Sequence, residues 1–448
     1  MAPKKKGAPA KPMPAPEKPR RKREEIALTR VQTASMVKDR TNEELKNRAQ
    51  VMSADELNAV YLTRRVPTGI LSVDAEIGGG FPCAAISQVI GRRNCGKTML
   101  YLRAIAQLQK ILGNKLSVLF AMTEMSIDIS QARKCGVVIA FPEETIAEFS
   151  RAREIHNMPP FSAEELADMR KQIGSFHQVV AFSGEDLYQA VLNGVQENAY
   201  HLIAIDSIGN VMSAQESENE SLHDKTRGGA AAVNTQFIHK LMPLLMTRAA
   251  NGCVRDPCII VVNQIRDDQK NPEADYKNTG GHALDHAKCL DIFLSYGQPI
   301  QADGSAKNIP TKGGSKTIRE TYGKEVNWLI KKGKAGIHEG GRGSWLYYFS
   351  DDRSPPWARD DVDIYWDAAN YAVRMGVIRQ EGAWYTFDNP ADPRNPLLKA
   401  NGILNLSQEL YDDEHARMAV GDSNTLMKRI REQCLLRKNI NLTYEWNF

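Results

Sequence analysis

Between Pro67 and about Pro355, short apolar runs alternate with longer stretches of helical period. The runs fall at 86–90, 118–122, 179–182, 202–205, 259–262, 291–295 and 326–330. Each is four or five residues of mostly branched or aromatic side chains, which suits strands buried on both faces. The intervening stretches are long enough for crossover helices. This alternation predicts an α/β fold, a mainly parallel twisted sheet flanked by helices on both faces.

The flanking regions follow other patterns. From Glu24 to about Arg65 the period is helical but polar, and Ser53 with Glu56 has the spacing of a capping box ahead of Leu57, Val60 and Tyr61. After Pro355 and Pro356, Ile364, Ala368, Tyr371, Ala372 and Met375 share one helical face, followed by a turn at Gly382-Ala-Trp-Tyr385 and more helix. Residues 301–323, with four Gly among Lys, Ser and Thr, read as a long surface loop. Residues 141–177, polar and rich in Glu and Arg, read as an inserted helical excursion, either a tolerated insertion or a partner site. The expected divisions are a tail at 1–25, a helical lead-in at 26–66, a core at 67–355 and a small C-terminal α/β domain at 356–448.

Composition narrows the class. With 448 residues, 42% hydrophobic and 25% charged, the chain can build cores for two or three domains. No run of 18 apolar residues occurs, so no membrane span is expected. Seven scattered cysteines without a CxxC pair suit a reducing compartment, and Cys253 with Cys258 lacks a second pair or a nearby His to complete a zinc set. The net charge is +4, yet residues 1–25 alone carry nine Lys/Arg against three Glu. Six prolines and few large apolar side chains make this arm a disordered one by composition. It reads as a phosphate-binding arm, a basic nuclear-type address or a solvated tail, and no apolar segment follows that would make it a signal peptide.

The sharpest motif is Gly91-Arg92-Arg93-Asn94-Cys95-Gly96-Lys97-Thr98, followed by Met99, directly after the 86–90 run and before a helical run from Leu100. It fits G-x-x-x-x-G-K-[ST]: the loop amides wrap phosphates, Lys97 reaches the β and γ phosphates, and the Thr98 hydroxyl meets Mg²⁺. ATP and Mg²⁺ are the expected ligands. Arg92 and Arg93 lie inside the loop, where they are exposed charge or touch the triphosphate or a neighbouring subunit. The 202–205 run ends in Asp206, placed to hold the metal's water shell. The 118–122 run ends in Thr123-Glu124, where an acid would orient the attacking water, and the 259–262 run ends in Asn263-Gln264, amides able to sense the γ-phosphate.

The ordered motifs resemble the RecA family of homologous-recombination ATPases, and within it the phage UvsX branch, over about 60–387. The resemblance rests on Pro67-Thr-Gly-Ile-Leu-Ser-Val-Asp74, Phe120 to Glu124, Ala132-Arg-Lys-Cys-Gly-Val137, Ile205-Asp-Ser-Ile-Gly-Asn210, Val262-Asn-Gln-Ile-Arg266, Thr279-Gly-Gly-His-Ala-Leu284 and Gly382-Ala-Trp-Tyr-Thr-Phe387. It implies Lys97 and Thr98 on ATP and Mg²⁺, Glu124 as catalytic carboxylate, Asp206 as Walker-B acid, Gln264 as sensor and Asp128 beside the adenine. It implies that Lys332 and Lys334 reach a neighbouring protomer's ATP. Two loops at about 214–229 and 266–281 correspond to the family's DNA-binding loops, with Lys225, Arg227, Gly228, Arg266, Lys270, Lys277, Gly280 and Gly281 as the contact residues. Gln131 stands where the family stacks an aromatic on adenine, and His286 where it has an aromatic switch residue.

The function this resemblance implies is an ATP-dependent DNA recombinase. It would form helical filaments on single-stranded DNA, pair them with double-stranded DNA and exchange strands, with single-strand-binding and loading proteins as partners. The expected location is cytoplasmic, in a phage-infected host or its nucleoid, with a nuclear-type compartment as the alternative. A RecA-core ring motor of the replicative helicase type, or a catalytically degenerate recombinase paralogue, is the competing reading.

Overall fold

The computed structural model describes residues 20–45, 51, 64–123, 127–218, 229–247, 255–266, 277–278, 282–301, 307–311, 314–318, 320–349 and 354–440. The chain divides at residue 54 into two units. In the first, helix α1 (Arg20–Leu45) is polar, with an Arg40–Glu44 ion pair at 2.6 Å one turn apart. It begins inside the segment expected to be disordered: past Pro19, Arg20 to Glu25 are all good helix formers, so the proline-rich character ends earlier than the basic charge does. The Ser53–Glu56 capping box lies outside the described residues.

The second unit is built on a mostly parallel sheet. Its long strands are β1 (Ala85–Gly91), β2 (Ser117–Met122), β3 (Ser175–Val179), β4 (Leu202–Asp206), β5 (Cys258–Arg266), β6 (Leu290–Gln301), β7 (Thr321–Gly333) and β8 (Arg342–Tyr348). They are ordered β8-β7-β6-β1-β5-β4-β2-β3, with Lys277–Asn278 pairing antiparallel to the end of β5. Pairings from β6 through β1 to β3 are parallel, and β7 and β8 extend the sheet antiparallel.

The helices are α2 (Leu71–Glu76), α3 (Lys97–Leu112), α4 (Ile129–Lys134), α5 (Glu143–Ile155), α6 (Ala163–Met169), α7 (Gly184–Gln196), α8 (Ala214–Glu218), α9 (Gly229–Leu245), α10 (His282–Ala287), α11 (Ile364–Arg374), α12 (Ile403–Ala419) and α13 (Leu426–Arg437). Both faces of the sheet are covered. Leu202, Ala204, Cys258, Ile260 and Val262 pack with α3, while the alternate residues Ile203, Ile205, Ile259 and Val261 pack with α7 and α9. Two buried faces are why these strands read as continuous apolar runs. A third cluster joins α11, α12 and α13 to Leu71 and Ala75 of α2, and holds the sheet of β9 (Arg379–Glu381), β10 (Trp384–Phe387) and β11 (Leu398–Asn401).

Four expectations change. The strand expected at 179–182 is β3, which ends at Val179; Val180 and Phe182 are 91% and 97% exposed. This outermost strand is half-buried, with Phe176 stacked on Phe120, so the 179–182 apolar run marks its end rather than its body. The 141–177 stretch is helical in α5 and α6, but its last residues from Ser175 join the sheet. Residues 301–323 are not a loop: Lys307–Thr311 and Gly314–Ile318 form an antiparallel hairpin, which β-branched Ile309, Thr311, Thr317 and Ile318 favour and the glycine count concealed. Within the segments expected to be loops at 214–229 and 266–281, Ala214–Glu218 form α8 and Lys277–Asn278 pair with Ile265 and Arg266.

Candidate nucleotide site

Strand β1 delivers the 91–96 loop to the amino end of α3. Gly91 has no room for a side chain: a Cβ there would lie 2.4 Å from the Leu294 carbonyl oxygen on β6 and 2.6 Å from Cys95 Sγ. Gly96 caps α3 in the left-handed region at φ 87°, so the first α3 amides are turned toward the loop. Lys97 is buried, its Nζ donating to the carbonyls of Gly91 at 3.1 Å and Arg92 at 2.6 Å. Cys95 Sγ also lies 2.9 Å from the Arg92 carbonyl, and burial pushes its thiol up. This thiol is a packing group rather than a nucleophile.

Across the loop, Thr98 Oγ1 donates to Asp206 Oδ2 at 3.1 Å, and Tyr101 OH approaches the same oxygen at 3.4 Å. The hydroxyl and the carboxylate are thus together, as the motif pair requires. Tyr101 went unnoticed in the sequence although it sits one helical turn after Lys97. Burial, then the Asp206 charge, pushes its phenol well above the usual value, so it stays a donor. The ends of β2 and β4 are tied together: Thr123 N donates to Asp206 O at 2.9 Å, and Thr123 Oγ1 accepts from Ser207 N at 3.0 Å and donates to Ser207 O at 2.9 Å. The Asp206–Ser207 peptide is cis. Glu124, next in sequence after Thr123, lies outside the described residues.

A cavity of about 560 Å³ gathers Lys97, Thr98, Asp128, Asp206 and Gln264, with Arg93 and Asn94 at its wall. Asp128 caps α4, accepting from Gln131 N at 3.0 Å. Gln131 lines this cavity and a second of about 430 Å³, whose walls include Gly96, Lys97, Met99, Lys324, Tyr347 and Phe349. The donor set fits Mg²⁺: one hydroxyl and one carboxylate, hard oxygens that leave positions for phosphate and water. Among the described residues no three His, Cys, Asp or Glu converge as a metal cluster. Cys258 is buried in β5, and Cys253 lies outside the described residues.

Lys332 and Lys334 do not line either cavity. Lys332 Nζ donates to the Asp285 carbonyl and lies 3.4 Å from that of His286, and Lys334 Nζ lies 3.5 Å from the latter, so both cap the carboxyl end of α10. Burial, then the Lys334 charge, pushes the pKa of Lys332 down. Beside this helix end Lys288 Nζ holds Asp285 Oδ1 at 2.8 Å and Asp291 Oδ2 at 2.5 Å, each three positions away, and Gln88 of β1, which no local spacing points to, donates to Asp291 at 3.2 Å. Of the expected DNA contacts, Arg266 ends β5 and Lys277 is in the short strand paired with it. Lys225, Arg227, Gly228, Lys270, Gly280 and Gly281 lie outside the described residues.

No described helix is long and apolar enough to cross a membrane. Residues 42–144, which include the 91–98 loop, match the family model for the RecA N-terminal domain. Protein RecA of Petrotoga mobilis is 25% identical over 337 residues, covering 72% of this chain and 70% of that protein. Protein RecA of Geobacter sulfurreducens is 24% identical over 351 residues, 75% and 79% of the two chains, and Protein RecA of Chlorobaculum parvum 23% identical over 397 residues, 88% and 90%. A mostly parallel sheet flanked by helices, the family-model match and these relatives together make the core RecA-like and support a RecA-family recombinase.

Proposed function

We propose that this chain is an ATP-dependent DNA recombinase that assembles into filaments on single-stranded DNA and catalyses homologous pairing and strand exchange. The observation that carries the reading is the Thr98–Asp206 pair at 3.1 Å beside buried Lys97, on a core similar to RecA. The nearer likeness to the phage UvsX branch rests on the motifs of the sequence.

In this reading the 91–98 loop binds the triphosphate through its amides, and Lys97 exchanges the Gly91 and Arg92 carbonyls for the β and γ phosphates. Bound Mg²⁺ neutralises charge on the phosphate oxygens. Thr98 and Asp206 hold its position, Glu124 takes a proton from the attacking water, and Gln264 senses the γ-phosphate. Lys332 and Lys334 have two alternative partners, the α10 carbonyls seen here and a neighbour's phosphate, which would make hydrolysis depend on assembly. Gln264 ends the run that leads into the second DNA loop, so loss of the γ-phosphate would reach Arg266, Lys270, Lys277, Gly280 and Gly281. The first loop would add Lys225, Arg227 and Gly228. The protein would grip the phosphate backbone while base pairing reads the sequence, so affinity should fall steeply with salt and vary little with base composition.

The test is joint-molecule formation between a labelled single strand and homologous supercoiled duplex with ATP and Mg²⁺, against a heterologous duplex. Product that requires homology and is lost in Lys97→Ala supports the recombinase. ATP hydrolysis on single-stranded DNA without joint molecules would transfer the reading to a RecA-core motor of the helicase type. Loss of both activities in a folded sample would point to a degenerate paralogue.

A further inference from the structure

The outer side of the 91–96 loop is gripped from strands that the nucleotide motif does not include. Tyr296 OH of β6 donates to the Arg93 carbonyl, and Lys324 Nζ of β7 donates to the Asn94 carbonyl at 2.5 Å. Lys97 Nζ serves the carbonyls of Gly91 and Arg92. Four consecutive loop carbonyls therefore have donors, two served by Lys97 at the start of α3 and two served from the sheet.

A trans peptide is planar with its C=O and N–H pointing in opposite directions. Holding the Arg93 and Asn94 oxygens toward the sheet consequently aims the amides of Asn94 and Cys95 the other way. An anion-binding loop works because its amides converge, and one flipped peptide would present a carbonyl to the phosphate instead. Asn94, at φ 57° in the left-handed region, is a position where the unsupported backbone has an easy alternative. The grip of Lys97 is provisional, because that ammonium is the one expected to move to the phosphates. The grip of Lys324 and Tyr296 is independent of it.

The lysine is itself held in place. Its ammonium lies 5.0, 5.7 and 5.8 Å from the ring centroids of Tyr296, Tyr347 and Phe349, within cation–π range, and Tyr347 is its cross-strand partner on β8. It lines the second cavity alongside Gly96 and Lys97.

We propose that Lys324 and Tyr296 are positioning residues of the nucleotide site, holding the Asn94 and Arg93 carbonyls outward so that the Asn94 and Cys95 amides are preset for the phosphates of a nucleoside triphosphate. This rests on the reading that the 91–98 loop binds such a nucleotide. The experiment is equilibrium titration of the full chain with a fluorescent ATP analogue and Mg²⁺, with the thermal midpoint of each protein measured without nucleotide. Lys324→Met should raise Kd roughly tenfold, the loss of one charge-assisted hydrogen bond. Tyr296→Phe, which keeps the ring, should raise it less, and Lys324→Arg should recover part of the loss, with nucleotide-free midpoints unchanged. Wild-type Kd in both the Met and Phe variants would overturn the positioning role while leaving nucleotide binding intact, as would a lowered midpoint with unchanged Kd. A folded wild type that binds no analogue would sink both readings together.

Discussion

Asp206 shows how one carboxylate depends on its neighbours. Its Oδ2 takes hydrogen bonds from Thr98 and Tyr101, while the peptide that follows is tied to Thr123. The acid is aimed by β4 and held by two hydroxyls, so its charge rather than its shape is what a metal would use. Asp206→Asn keeps the size and one acceptor but removes the charge. Steady-state hydrolysis at saturating Mg²⁺ should fall at least about 100-fold, the scale of losing one preorganised electrostatic group, with a much smaller change in nucleotide affinity. Comparable rates in the two proteins would remove Asp206 from the metal role.

Among the elements, the β7–β8 pair decides whether the aromatic wall beside the loop exists. Trp328 faces Gly343 across the ladder, and a Cβ at 343 would lie 2.7 Å from its ring. Trp328 is 2% exposed, so it has nowhere to move. Gly343→Ala should destabilise the chain by about 1–3 kcal/mol through overpacking, read as a lowered denaturant midpoint. Because Tyr347 lies on the same strand, nucleotide affinity should drop with it. An unchanged midpoint would show that the ring relaxes freely.

At the scale of the whole molecule, α2 joins the sheet core to α11 and α13 through buried carboxylates. Asp367 accepts from Ser72 N at 3.0 Å and from the Ser72 hydroxyl, and Asp74 accepts from Thr68 and from Arg431 at 2.9 Å. Burial, opposed by the Ser72 bonds, pushes Asp367 up to about 7. The folded protein therefore keeps a proton that the unfolded chain releases near pH 4. The sign follows: this group's stabilisation is complete below about pH 4 and is lost as pH rises toward 7, up to about 4 kcal/mol in all. Asp367→Asn mimics the neutral acid, so unfolding curves from pH 4.5 to 8 should show wild type losing more stability than the variant. Parallel curves would mean that Asp367 is ionised in the fold. The same link explains why α11, read from its own apolar face, shares a core with Leu71 and Ala75.

The chain's own order was enough for whatever depends on neighbours in sequence. Residues 91–98 carry their chemistry within eight positions, and strands buried on both faces are apolar throughout, so the loop, β1, β2, β4 and the parallel sheet were legible. Asp206 could be paired with Thr98 because an acid closing an apolar strand and a phosphate-binding loop after another both belong at the carboxyl ends of a parallel sheet, where they converge. The edges were harder: β3 is only half-buried and leaves no strong period, glycines concealed the β-branched residues of 307–318, and α1 starts where charge and proline signals part. Only tertiary structure could bring Tyr296 and Lys324 to Arg93 and Asn94, Gln88 to Asp291, or bury Asp367 against Ser72, because each contact joins residues from separate strands or helices and no local pattern encodes a partner about 200 or more positions away.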